Sequence, residues 1–312
     1  MIKNRNIADD AMIAASKIDG FDPTMNGKAF YVNNIVGSDS NDGLSWAKPL
    51  ATISAAVTLA EAHRVLQVAN NRFVQNRIYI QGTATAYTAL AALPNWCDII
   101  GVGSDPRGNG TGIARIGADT GTGGGVADAV AGGYRGLNFY NLQFQGGSAA
   151  AAFSVVQLFR STFENCAFMV NGGSTAGLTG LVVTSKAGGL VIKNCHWGTN
   201  GSGDFATGIH LDGTYWMNCK VENCHIVGTT IGILVDSTCT YGWSSEFKNN
   251  YIGAGVTTCD VCVDDNTTTG NIMFIGNYLN GTAGSAMTET GVGNVRFIGN
   301  YALAALKAAQ AA

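Results

Sequence analysis

From Gly136 to its end, the chain repeats one six-residue phrase seven times. The copies are FYNLQF (Phe139–Phe144), FENCAF (Phe163–Phe168), IKNCHW (Ile192–Trp197), VENCHI (Val221–Ile226), FKNNYI (Phe247–Ile252), FIGNYL (Phe274–Leu279) and FIGNYA (Phe297–Ala302). Their third places, Asn141, Asn165, Asn194, Asn223, Asn249, Gly276 and Gly299, are separated by 24, 29, 29, 26, 27 and 23 residues. A period in the twenties, with strand-like alternation and a turn residue at a fixed place, marks a solenoid. The expected fold is all-β, a right-handed parallel β-helix.

Each column of the phrase has a physical reading. The first and sixth places are apolar in nearly every copy and belong to the core. The third place exchanges Asn for Gly, the two residues that best tolerate a left-handed backbone, so a corner is expected there. The fourth place reads Cys166, Cys195 and Cys224, then Asn250, Asn277 and Asn300. Stacked about 4.8 Å apart, these become a row of small buried thiols followed by an asparagine ladder. The fifth place reads His196, His225, Tyr251, Tyr278 and Tyr301. If the corner switches parity, these five form an outward column that serves coil stacking, a subunit contact or a ligand platform.

A second strand keeps step with the phrase: TGLVVTS (Thr179–Ser185), TGIHLDG (Thr207–Gly213), IGILVDS (Ile231–Ser237), CDVCVDD (Cys259–Asp265) and SAMTETG (Ser285–Gly291). It lines up Asp212, Asp236 and Asp264, flanked by Thr184 and Thr290. Neighbouring carboxylates about 5 Å apart could serve glycoside hydrolysis. The plainer reading is that each Asp opens the turn after its strand. Stacked charges at that spacing repel by roughly 3.5 kcal/mol at an effective dielectric near 20, so something must relieve them. His210 beside them reads as an ordinary surface residue.

Ahead of the coils, AFYVNN reads as a strand, GSDSNDGLSWAKP as consecutive turns and Ala51–Leu66 as an amphipathic helix. Laid over the open end of a solenoid, that helix would cap it. Ile7, Ala11 and Ile18 lie on one helical stripe of an N-terminal arm too short to fold alone. These readings divide the chain into an arm (1–27), a first strand, turn and capping helix (28–76), a β-helix (77–303) and an Ala-rich tail (304–312). The coils span about 226 residues, roughly nine turns and a rod about 40 Å long.

Composition removes several classes. Of 312 residues 46% are hydrophobic and only 12% charged, the opposite of a disordered chain. A net charge of −3 argues against a nucleic-acid partner, and no apolar run is long enough for a membrane helix. The N-terminus lacks the apolar core of a signal peptide, so synthesis and folding in a cytoplasm are expected. Cys259 and Cys262 sit three apart on a strand and point to opposite faces, so neither a shared metal nor a cofactor is expected. No nucleophile-elbow, Walker or dinucleotide motif stands in a usable context.

Two segments carry a family resemblance. YVNNIVGSDSNDGLSWAKPLATISAAV (Tyr31–Val57) resembles the opening of pectate-lyase-like right-handed β-helix proteins, where a G-S-D/N-D-G-x-S-W-x-x-P turn precedes a capping helix. With the coils, this likeness covers about 270 residues. KNRNIADDAMIAASKI (Lys3–Ile18) resembles N-terminal or linker segments of phage tail-fibre and other virion proteins, with their N-I-A-D-x-A-V-x-A-x-K-I pattern. Together the resemblances imply a bacteriophage virion protein, a spike, fibre or capsid decoration, homotrimeric and held to capsid or tail proteins by its arm. A polysaccharide depolymerase using Asp212, Asp236 and Asp264 on a host surface glycan is the alternative, and a non-catalytic glycan-binding adhesin a third. Pectate lyases pair a calcium-binding Asp cluster with an Arg or Lys base, and no Arg or Lys stands in this column.

Overall fold

The computed structural model describes residues 27–69, 73–108, 110–117, 122–171, 177–199, 204–239, 241–253, 259, 261–265, 270–281, 287–289 and 296–302. Ile7, Ala11, Ile18 and the tail at 304–312 lie outside the described residues.

The coils form three parallel sheets of ten, eight and nine strands. The repeated phrase straddles a corner between the first two. In the second copy, Thr162–Glu164 belongs to the first sheet and Ala167–Val170 to the second. Both pair in parallel with their counterparts one coil away. Between them, Asn141, Asn165, Asn194, Asn223 and Asn249 take φ values of 52° to 56°, and Gly276 and Gly299 take 62° and 59°. Asn and Gly, which fill this place in every copy, are the residues that tolerate a left-handed backbone best. The third sheet holds the second repeated strand, including Gly177–Gly188, Phe205–Leu211 and Ile231–Val235.

A second left-handed corner joins the third sheet to the first. It runs through Trp96, Gly136, Arg160, Gly189, Asn218 and Ser244, with φ between 51° and 63°. No residue type marks it.

The core is one continuous apolar cluster from Phe30 to Leu279. Equivalent places stack from coil to coil: Phe139 on Phe163 with centroids 4.7 Å apart, Phe168 on Trp197 at 4.6 Å, and Phe247 on Phe274 at 4.7 Å. Ala29–Val32 is itself the first strand of the first sheet, paired with Asn76–Gln81. The helix Ile53–Ala69 buries Ile53, Ala56, Val57 and Ala60 in the core cluster at this end of the stack. Asn76 ties it down, donating to Ala60 O at 2.8 Å and holding His63 Nδ1 at 2.9 Å. The turn residues before it are used structurally. Asp39 accepts the N–H groups of Ala51 and Thr52 and the Thr52 hydroxyl, each at 2.9 Å, and Thr52 Oγ1 caps Ala55 N–H.

Candidate functional site

Two outward features bring sequence-selected residues together, on different sheets. The first lies where two third-sheet strands end. Phe205–Leu211 and Ile231–Val235 pair with His210 opposite Leu234 and Leu211 opposite Val235. Leu211 and Val235 are buried, so His210 and the following Asp212 share the outward face, with Asp236 alongside. Asp264 does not join them. The next strand, Val261–Asp265, places Asp264 opposite Leu234 and Asp265 opposite Val235. Asp264 is therefore in line with His210 and two residues short of the carboxylate pair. Loops of unequal length separate the strands, so spacing along the sequence does not fix register.

One ligand atom from each of His210, Asp212 and Asp236 lies within 4.8 Å of the others. His210 Nε2 stands 3.4 Å from Asp236 Oδ2. Thr238 knits the pair together: its hydroxyl donates to Asp212 Oδ1 at 3.1 Å and its N–H to Asp236 Oδ1 at 3.1 Å. The same hydroxyl accepts Gly213 N–H at 3.1 Å. Partial burial pushes the Asp236 carboxyl up, but bonds from Thr238 N–H, His210 and Ser237 outweigh it and hold the group below its usual range. A glycosidic general acid needs the opposite shift. The trio would offer a divalent cation one nitrogen and two oxygens, where calcium takes six to eight oxygen ligands. His210, read from sequence as a bystander, is in contact with Asp236. The signal was its placement two residues before Asp212, on the same strand face.

The second feature is the fifth-place column. His196, His225, Tyr251, Tyr278 and Tyr301 stand in unbroken register on the second sheet. Their rings stack at 4.7 Å for His196–His225, 4.6 Å for His225–Tyr251 and 5.5 Å for Tyr251–Tyr278. Exposure rises along the column, to 38% at Tyr278 and 68% at Tyr301. Burial, the neighbouring His225 and Arg107 push the His196 imidazole down to about 4. Burial also lowers His225. Both rings are neutral near pH 7 and act as stacked aromatics. The column continues to Ala167 and Gln143, whose amide is covered by Pro106 O and Gly108 O.

The three thiols at the fourth place are free and buried, as are Cys97 and Cys219, and Cys239 and Cys259 are buried too. The side chains of Cys262 and Asp264 lie outside the described ones.

Solved structures share this architecture. Pectate lyase Pel9A aligns over 86% of this chain and 68% of its own, at TM-score 0.56 and 14% identity. The fold is the pectate-lyase type of right-handed parallel β-helix. The pectin methylesterase from Aspergillus niger aligns over 88% of this chain and 85% of its own, at TM-score 0.51 and 13% identity. The GH136 lacto-N-biosidase from Eubacterium ramulus, as its selenomethionine derivative, covers 88% of this chain and 56% of its own, at TM-score 0.52 and 12% identity. Identities this low carry the architecture and leave the activity open. Neither a family model nor a curated protein matches the sequence.

Proposed function

We propose that this chain is a structural protein of a bacteriophage particle: a surface-exposed β-helical spike, fibre or decoration, homotrimeric and joined to capsid or tail proteins through residues 1–27. It is made in the host cytoplasm and works on the virion. The likeness of Lys3–Ile18 to virion segments supports the attachment. One observation favours an inert rod over an enzyme. The Asp212–Asp236 carboxylate pair is taken up by its own turn, with Asp236 shifted away from acid catalysis. Tyr278 and Tyr301, the most exposed members of the aromatic column, suit a contact between subunits.

The second reading is a polysaccharide depolymerase. It rests on the proximity of His210, Asp212 and Asp236 within 4.8 Å. One experiment separates the two. Deleting residues 1–27 should leave a soluble, folded rod that no longer joins the particle. Asp212→Asn with Asp236→Asn should leave assembly intact. Loss of cleavage of a host polysaccharide in the double mutant would replace the structural reading with the enzymatic one. Normal incorporation of the truncated chain would sink the attachment role.

A further inference from the structure

The corner between the third and first sheets carries a slot that neither the coil architecture nor the carboxylate trio requires. Its outward column, just before the left-handed residue, reads Arg135, Phe159, Gly188 and Met217 in register on successive coils. The left-handed residues themselves read Gly136, Arg160, Gly189 and Asn218. In this run of four coils, only one lacks both side chains: Gly188-Gly189, set between Phe159-Arg160 on one side and Met217-Asn218 on the other. At one coil about every 4.8 Å, Phe159 and Met217 stand roughly 9.6 Å apart across the gap. The result is an open groove of about 450 Å³, with Trp96 at its far end.

The groove has two chemistries. The Arg135 guanidinium lies over the Phe159 ring, 5.5 Å from its centroid. On the Gly188 side, a Cβ would come to 3.0 Å from Phe159 Cδ1, closer than an ordinary contact, so the ring leans toward the glycine and both line the groove. The second component is positive charge. Among the described residues, carboxylates pair with Arg64, Arg77 and Arg107, whereas none pairs with Arg135 or Arg160. An aromatic wall takes the C–H face of a sugar ring, and a planar guanidinium takes a carboxylate in two parallel hydrogen bonds. The volume fits a single sugar and not an extended chain.

We propose that the slot over Gly188 and Gly189 binds one carboxylate-bearing sugar residue of a surface glycan. The ring lies against Phe159, the carboxylate against Arg160, and Arg135 adds positive charge from the coil below. The proposal does not depend on the particle reading, since an adhesin or an enzyme could carry the same subsite.

The test is binding followed by NMR on the full chain, with three probes. They are the methyl glycoside of N-acetylneuraminic acid, methyl glucuronide and neutral methyl glucoside. At least one acidic glycoside should bind with a millimolar-order Kd and about tenfold more tightly than the neutral one. The preferred acid distinguishes a nonulosonate from a uronate. Arg160→Gln keeps the corner backbone and should abolish the preference for the acid. Gly188→Leu should block all binding by filling the gap, with the circular dichroism of both variants as the check on fold. Equal binding of acidic and neutral sugars, an unchanged preference in Arg160→Gln, or no binding of either acid at about 10 mM would each overturn the proposal.

Discussion

The fourth place of the repeat is cysteine in three coils and asparagine in the next three, on the same backbone and at the same corner. In the cysteine half each thiol turns back on its own strand: Cys166 to Glu164 O at 3.5 Å, Cys195 to Lys193 O at 3.3 Å and Cys224 to Glu222 O at 3.2 Å. Sulfur also reaches between coils, but over longer contacts: the Cys166 thiol to Phe139 O at 3.5 Å, the Cys224 thiol to Ile192 O at 3.7 Å, and Cys195 N–H to Cys224 Sγ at 3.4 Å. In the asparagine half every amide crosses. Asn277 Oδ1 accepts both the backbone N–H and the side-chain amide of Asn250, at 2.9 and 3.0 Å. Asn300 Oδ1 does the same for Asn277 at 2.8 and 2.9 Å. Aromatic packing is dense where the cysteine coils begin. Phe139, Phe144, Phe153 and Phe163 are fully buried and in mutual ring contact, with centroids 4.7 to 6.1 Å apart. At the fourth place one corner geometry is thus held by long sulfur contacts in one stretch and by short amide hydrogen bonds in the next.

The largest expected effect attacks the aromatic side of that contrast. Phe163→Ala should cost about 3–5 kcal/mol in denaturant unfolding, because the rings around it have no room to collapse into the void. Asn277→Leu should come next, at about 1–3 kcal/mol, since it leaves the buried Asn250 N–H without its acceptor. If the asparagine change proved the costlier of the two, the ladder and not the core would be the main support.

The phrase in the sequence made this corner legible because all seven copies fill its left-handed place with Asn or Gly. The second corner has the same backbone yet hosts Trp96, Gly136, Arg160, Gly189, Asn218 and Ser244. Composition hides it. Spacing does not: in the five coils from Gly136 to Ser244 it falls five residues before the asparagine of the first corner. The slot over Gly188 was invisible for a related reason, since it arises from what neighbouring coils place around two glycines. The carboxylate pair was legible from strand ends, whereas the exclusion of Asp264 needed the register.

Acid sharpens the comparison, because the outward column also changes chemistry between the halves, from His196 and His225 to Tyr251, Tyr278 and Tyr301. His196 is lowered from 6.5 to about 4 by burial first, then by His225 and Arg107. Between those values the unfolded chain binds a proton that the folded chain refuses. Stability is therefore full above pH 6.5 and falls as pH drops toward 4. After a discount for partial exposure the loss is about 1–2 kcal/mol. Hydrogen exchange at pH 4.5 should show it in the coils around Ile192–Ile226 and leave Phe247–Leu279 little changed. Uniform loss along the rod would mean the histidines are not its source.

The smallest effect is expected at Cys195→Ala, and its smallness is informative. Cys195 is as buried as Asn277 in all but a trace, at 2% against 0%. Removing its sulfur deletes a weak donor and the weak acceptor that faces Cys166 N–H. Lys193 O, which that thiol contacts, still accepts Asn165 N–H at 3.2 Å, and the Cys195 N–H keeps its bond to Cys224 Sγ. Sulfur is a weak acceptor where the Asn277 amide oxygen is a strong one, so losing the bond from Cys166 N–H and the packing of one small group costs about 1 kcal/mol. Burial also pushes the Cys195 and Cys224 thiols up, so an alkylating reagent should spare both until the chain unfolds. A loss matching that of Asn277→Leu would mean that thiols crosslink coils as amides do, and the division between the two halves would fail.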